Sequence, residues 1–301
     1  MNKAKAIILS GYGLNCEQET AEAFVLAGGE ASIVHINDLI AKPAILKRFQ
    51  ILAIPGGFSY GDDLGSGKAY ANKLNNHLKK YLAEFAAKDK LIIGICNGFQ
   101  ILTNLGLLPG VLTFNDNNRY TDRWVDIKIT SSSAVIARSA SAVSIDSRRP
   151  ERSRMGDAAI LSKKKIASDA LAMTGNASPW LKGIKSLSLP IAHGEGKFMA
   201  SADVLKTLKK QNQIAGVYYK GNICKYQSLP ANPNGSMLDI AAITSENGRI
   251  LGIMPHPERG MFFTQTPDWT LQKEKLSRKN KPLPKFTNNL QIFKNAISYF
   301  Q

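Results

Sequence analysis

Three cysteines (Cys16, Cys96, Cys224) and four histidines (His35, His77, His193, His256) are the side chains of this 301-residue chain best suited to nucleophilic chemistry. Cys96 stands in the setting most plainly built for attack. It occupies the centre of Gly94-Ile95-Cys96-Asn97-Gly98, a Gly-x-nucleophile-x-Gly elbow with cysteine where a hydrolase carries serine. Glycines on both sides remove Cβ atoms that would clash in a sharp strand-to-helix turn. The N-terminus of the following helix would direct partial positive charge at the sulfur and favour thiolate, and the Asn97 N–H is placed to donate to an oxyanion. The competing reading is a small buried hydrophobe, the usual fate of a free cysteine.

A cysteine nucleophile wants an imidazole to hold its proton and a carboxylate to fix that imidazole. Pro255-His256-Pro257-Glu258-Arg259 supplies both. On an extended segment, held by the flanking prolines, His256 and Glu258 would face one way, about 6–7 Å apart. The chemistry would then be acyl transfer. The thiolate attacks a carboxamide, Gly57 and Asn97 N–H groups hold the oxyanion, His256 protonates the departing ammonia, and water releases the thioester. A histidine in an ordinary strand-end turn is the bland alternative.

The elements that must position these groups follow from hydrophobic pattern. Leu91–Ile95 is a branched apolar run suited to a buried strand, and Phe99, Leu102 and Leu105 carry helical spacing until Gly106 and Pro109. Upstream, Ala6–Ser10, Glu17–Leu26 and Ala31–Ile36 read as strand, helix and strand, a β-α-β opening that predicts a doubly wound sheet. Ile51–Ile54 adds a strand and Leu74–Ala87 an amphipathic helix. Arg123–Thr130, Leu189–Ala192, Ile214–Tyr219, Ile223–Gln227, Ile240–Thr244 and Ile250–Met254 read as further strands. The fold class is α/β, a three-layer domain around a mostly parallel sheet.

Other candidates are weaker. Gly11-Tyr12-Gly13-Leu14-Asn15-Cys16 lacks the third glycine of a dinucleotide fingerprint. Cys16 competes as a nucleophile but has no histidine close in sequence, so it ranks below Cys96. Gly61–Ala69 fails the spacing of a phosphate loop, and Asp62 and Asp63 would repel phosphate; Pro55–Asp63 reads better as an oxyanion-hole loop. His193, beside Gly194 and Gly196, can reach a ligand. The three widely spaced cysteines form neither a disulfide framework nor a metal-ligand pattern, so no metal is expected.

The formal charge is +16, which raises nucleic acid as a partner. The charge is spread, however: residues 131–178 hold eight Lys/Arg against four Asp/Glu, and 271–301 seven against one. Neither stretch interleaves aromatics with its basic residues, and solvated faces explain them better. Residues 131–178 are rich in Ser, Ala and basic side chains and contain no aromatic, which predicts a low-complexity insertion, disordered or weakly helical over 155–172, in one domain spanning 1–301. The apolar run near the start, Ala6–Leu9, is too short for a signal peptide or a membrane span, so a cytoplasmic location is expected.

Gly94-Ile95-Cys96-Asn97-Gly98-Phe99-Gln100 together with Pro255–Arg259 resembles the class I glutamine amidotransferases. PGGFSYGDDLGSG at 55–67, IAHGEGKF at 191–198 and ANPNGS at 231–236 narrow the resemblance to the glutaminase subunits of phosphoribosylformylglycinamidine synthase, which serve purine biosynthesis. The similarity covers about 1–130 and 179–301. It implies Cys96 as nucleophile, His256 as base and Glu258 as its orienter; Gly57, Asn97, Gln100 and His193 are the expected oxyanion and substrate-binding positions. It further implies that ammonia from glutamine passes to a separate synthetase subunit, with a small third subunit bridging the two. No cofactor is expected on this chain, ATP and magnesium belonging to the synthetase, and neither membrane nor nucleic acid is an expected partner. Two other readings stay open: a cysteine hydrolase of another branch, such as a peptidase or DJ-1-like enzyme, and a basic nucleic-acid-binding module with a vestigial site.

Overall fold

The structure is a computed structural model that describes residues 3–130, 178–226 and 228–301. The insertion expected at about 131–178 lies outside the described residues, apart from Ser178. In chain order the elements are β1 (Lys5–Ser10), α1 (Glu17–Leu26), β2 (Glu30–His35), α2 (Ile36–Ala41), β3 (Ile51–Ile54), α3 (Lys68–Ala87), β4 (Leu91–Ile95), α4 (Asn97–Asn104), β5 (Val111–Thr113) and β6 (Thr121–Ile129). There follow β7 (Ser186–His193), β8 (Lys197–Met199), α5 (Ala202–Lys210), β9 (Ile214–Tyr219), β10 (Ile240–Thr244), β11 (Ile250–Ile253), α6 (Trp269–Ser277) and α7 (Gln291–Ser298). Among the described residues no helix is long and apolar enough to cross a membrane.

Nine strands form one sheet in the order β2-β1-β3-β4-β11-β10-β9-β6-β7, and β5 pairs with β8 apart from it. The first five are mutually parallel, and the remaining four extend the sheet antiparallel. Sequence decides which strand goes where. β3, β4 and β11 read ILAI, LIIGI and ILGI and are buried at every position, as strands covered on both faces must be. β7 instead alternates, SLSLPIAH, with buried residues at every second position, the period of a strand with two unlike faces.

The β1-α1-β2 crossover runs toward one edge of the sheet and β3-α3-β4 toward the other. Right-handed crossovers therefore place α1 and α3 on opposite faces. α1 meets α7, with Phe24 edge-on to Phe293 at 5.1 Å between ring centroids, whereas α3 packs with α4. The strand order reverses between β1 and β3, and a doubly wound sheet opens a crevice at the carboxyl ends of its strands at that point. Ile129, the last residue of β6, and Ser186, the first of β7, lie level with the amino ends of the parallel strands, because β6 runs antiparallel to the five-strand block and β7 antiparallel to β6.

Two expectations need correction. Ile223–Gln227 is not a strand: Cys224–Tyr226 is a 3₁₀ turn, and Gln227 lies outside the described residues. The N–H groups of Ile223 and Cys224 donate instead to the buried Asp126 carboxylate, at 2.9 and 2.7 Å. An internal charged acceptor has replaced a ladder partner. Helix α3 also begins at Lys68 rather than Leu74, because Tyr70 and Ala71 continue the stripe of Leu74, Leu78, Leu82 and Phe85 into the core.

Candidate active site

Four loops leave the carboxyl ends of β1, β3, β4 and β11 side by side. In register, Ile54 of β3 pairs with Gly94 and Ile253 of β11 with Ile95, so the segments carrying Gly56, Cys96 and His256 emerge together. The Cys96 N–H donates to the Ile253 carbonyl at 2.8 Å, which ties the elbow to the strand that delivers His256. Cys96 itself has φ 50° and ψ −106°, a conformation that costs about 1–3 kcal/mol for a residue with a side chain. Such strain is the mark of an elbow that points its nucleophile out of the sheet. Gly98 permits it. A Cβ at Gly98 would stand 1.9 Å from the Ile54 carbonyl oxygen, so α4 can press against β3 only without a side chain there. The Cys96 side chain is buried, with Sγ 3.8 Å from the Ala192 carbonyl oxygen.

The expected extended His256–Glu258 segment is half right. His256 is extended (φ −101°, ψ 91°), but Pro257–Arg259 forms a 3₁₀ turn that folds Glu258 back onto the imidazole. His256 Nδ1 and Glu258 Oε1 are 2.6 Å apart, both side chains buried. The His256 N–H donates to the Pro190 carbonyl of β7 at 2.9 Å, which pins the loop to the antiparallel half of the sheet. Burial works against a charge on this imidazole, yet the Glu258 carboxylate first, and then the neighbouring Cys96 and Cys16 sulfurs, outweigh it. The protonated form is favoured well above the ordinary histidine range. The arrangement favours an imidazolium between a carboxylate and a thiol. His256 Nε2 has no hydrogen-bond partner among the described residues.

Beside the elbow runs a polar network. Asn97 accepts from Ser59 Oγ at 2.7 Å and donates to Gln100 Oε1 at 2.9 Å and Asp62 Oδ1 at 3.3 Å. Gln100 Nε2 donates to the Glu195 carbonyl at 2.6 Å, so the Gln100 amide bonds within the protein at both ends. Asp62 is pushed above the ordinary carboxylate range by burial and by the nearby Glu195 charge. Gly57 sits in the β3 loop, bridged to Leu14 of the β1 loop, and the Asn97 N–H belongs to the first residue of α4, where the helix itself supplies no acceptor.

His193 is buried at the end of β7, its Nδ1 3.1 Å from Asn115 Oδ1. That oxygen already accepts from the Gly196 N–H at 3.0 Å, so Nδ1 carries the proton and Nε2 is a lone-pair acceptor. Burial, with His256 nearby, pushes the His193 pKa down to about 3. His193 is a neutral group at the pH at which His256 is charged.

The sequence profile of the CobB/CobQ-like glutamine amidotransferase domain matches residues 3–168 and 164–300. The chain belongs to this family of glutamine amidotransferases. Among its relatives, the phosphoribosylformylglycinamidine synthase subunit PurQ of Methanococcus maripaludis strain C5 is 42% identical over 98% of each chain. The protein of the same name from Dehalococcoides mccartyi is 38% identical over 99% of this chain and 98% of its own. The fold resembles a chain in the solved structure of PurLQS from Thermotoga maritima, with a TM-score of 0.64, 24% identity, and coverage of 99% of this chain and 100% of that one.

The amidotransferase carries one site feature that the sequence reading underrated. Cys16 is buried in the β1 loop. Its N–H and that of Asn15 both donate to the Gly56 carbonyl, at 3.2 and 3.1 Å, which draws the β1 loop onto the β3 loop. Its sulfur comes within 4.8 Å of one donor atom each of His256 and Glu258. Proximity in sequence was the wrong criterion, since His256 arrives from the far end of the chain. The available signal was topological: Cys16 follows a parallel strand at the same edge as Cys96.

Proposed function

We propose that this chain hydrolyses glutamine to glutamate and ammonia, with Cys96 as nucleophile, His256 as acid and base, and Glu258 as the group that orients and charges His256. The Cys96 thiolate attacks the side-chain carboxamide carbon. The N–H groups of Gly57 and Asn97 receive the oxyanion, and the His256 imidazolium gives its proton to the leaving ammonia, leaving a thioester on Cys96. A water then adds to the thioester carbon as His256 takes its proton, releasing glutamate and the thiolate. Asn97 takes part through its backbone while its side chain, with Gln100, braces the elbow. His193 offers its neutral Nε2 as an acceptor on the substrate side.

The observation that carries the reading is the strained Cys96 elbow tied by its own N–H to Ile253, on the strand whose loop brings the 2.6 Å His256–Glu258 pair. Relatives spanning nearly the whole chain are named as subunits of phosphoribosylformylglycinamidine synthase. On that basis the ammonia passes to a synthetase subunit, which uses ATP and magnesium to convert formylglycinamide ribonucleotide to its amidine in purine biosynthesis. A small third subunit bridges the two, and the complex works in the cytoplasm. The domain is read as one unit interrupted at about 131–178.

The test is the Cys96→Ala variant assembled with its synthetase. Glutamine-dependent amidine formation should vanish while ammonia-dependent formation continues at the wild-type rate. Loss of both activities in a folded variant would mean that Cys96 has a structural role.

A further inference from the structure

Cys16 is a buried thiol that the proposed reaction does not use, yet it is set among the groups that the reaction does use. One donor atom from each of Cys16, His256 and Glu258 lies within 4.8 Å of the other two, and the three residues are 1%, 2% and 1% exposed. His256 Nε2 and Glu258 Oε2 lack hydrogen-bond partners among the described residues, and buried polar atoms left open in a native fold need an explanation. The thiol's own hydrogen bond is weak, a 3.4 Å contact to Asn15 Oδ1. Thiolate, imidazole and carboxylate form a donor set that suits zinc, and tetrahedral zinc holds such donors about 3.3–3.8 Å apart, so side-chain shifts of about an ångström bring one atom of each residue to the metal. Gly56 keeps the space between them clear: a Cβ there would stand 3.2 Å from Cys16 Sγ and 2.6 Å from His256 Cε1.

We propose that Cys16, His256 and Glu258 form a zinc-binding site that switches the amidotransferase off. Binding releases the Cys16 thiol proton, and the imidazole proton where one is present, to solvent. Three bonds to the metal form and no redox change occurs. The metal withdraws His256 and Glu258 from Cys96, so catalysis stops until the ion is removed. Binding follows from the donor geometry alone, whereas inhibition rests on the proposed roles of His256 and Glu258.

The metal-free chain is titrated with Zn²⁺ against a chromophoric chelator, and with Co²⁺ for its thiolate-to-metal absorption band. One ion should bind per chain, and the cobalt band should appear in the wild type and in Cys96→Ala but not in Cys16→Ser. Zinc affinity should fall at least about tenfold in Cys16→Ser, on the scale of losing a supporting contact at a metal centre. In the complex with the synthetase, stoichiometric zinc should stop glutamate release by the wild type, and a chelator should restore it. Cys16→Ser should resist zinc, its turnover being the same with and without the ion. Absence of binding, unchanged zinc affinity in Cys16→Ser, or loss of the cobalt band in Cys96→Ala would each overturn the site. Zinc bound at Cys16 with glutamate release undiminished would overturn the switch. A serine variant that fails to fold leaves a wild-type readout, because bound zinc should slow alkylation of Cys16 by mass spectrometry and equal labelling would refute the site.

Discussion

Gly98→Ala sets two calculable effects against each other. Gly98 lies within α4, where replacing glycine by alanine ordinarily stabilises a helix by about 1 kcal/mol. Against this, the new Cβ would stand 1.9 Å from the Ile54 carbonyl oxygen, 2.7 Å from its carbon and 3.2 Å from Ile54 Cβ. The obstacle is backbone of a buried central strand, which no rotamer change can relieve, so α4 must withdraw by at least ~1 Å. Overpacking of this kind costs about 1–3 kcal/mol, and a rigid neighbour puts it at the upper end. The clash wins, for a net loss of about 2 kcal/mol. At about 2–4 °C per kcal/mol for a domain of this size, the thermal midpoint should fall ~4–8 °C. The same withdrawal moves Cys96 and the Asn97 N–H, and a 1 Å misplacement of reacting groups costs roughly 10²-fold in rate. Gly194→Ala is the control, because a Cβ there meets nothing within 4 Å, and it should be neutral within about 0.5 kcal/mol. Thermal unfolding followed by circular dichroism and glutamate release by the assembled complex measure the two effects. A Gly98→Ala protein as stable as the wild type and fully active would refute the claim that the elbow depends on close approach of α4 to β3.

Glu258→Gln removes the carboxylate that holds the His256 proton while leaving burial to push the other way. Without the carboxylate that charges and orients it, His256 loses its acid–base role, and glutamate release should fall about 10²–10⁴-fold. The imidazolium exists below the His256 pKa and is lost as pH rises through it, so the alkaline limb of the pH–rate profile should move to lower pH; an unmoved limb would sink the ion-pair account. His193, with its folded pKa near 3, stays neutral in the folded protein while an unfolded histidine gains a proton below about pH 6.5. The wild type should therefore lose about 1.4 kcal/mol more per pH unit than His193→Gln between about pH 6 and 4 in denaturant titrations, and show no such difference above pH 7. Equal slopes would mean that His193 titrates normally.

Most of this fold is written as unbroken apolar runs. Leu91–Ile95, Ile214–Tyr219 and Ile240–Thr244 emerge as strands with the bounds their patterns predict; Leu91–Ile95 is the plainest, since a strand buried on both faces leaves no place for a polar residue. Glu17–Leu26 likewise ends where Gly28 and Gly29 stop it. Ile223–Gln227 misled because an apolar run says nothing about where its N–H groups go, and the buried Asp126 takes two of them. Proline flanks suggested an extended His256–Glu258 segment, but Pro257 opens a 3₁₀ turn instead, which is why the pair meets at 2.6 Å. The Gln100 amide, a substrate-side candidate from its motif, is held at both ends by Asn97 and the Glu195 carbonyl, partners that only the folded chain brings together. Cys16 needed the same tertiary knowledge.

The central claim is that Cys96, rather than the more deeply buried Cys16 or Cys224, is the sulfur that attacks glutamine. Reacting the chain, with its synthetase and substrates present, with a chloroketone analogue of glutamine and mapping the adduct by peptide mass spectrometry tests this directly. The account predicts one adduct per chain, on Cys96, formed in step with loss of glutamate release and suppressed by excess glutamine. An adduct on Cys16 or Cys224 that tracks the loss of activity, with Cys96 unmodified, would contradict it.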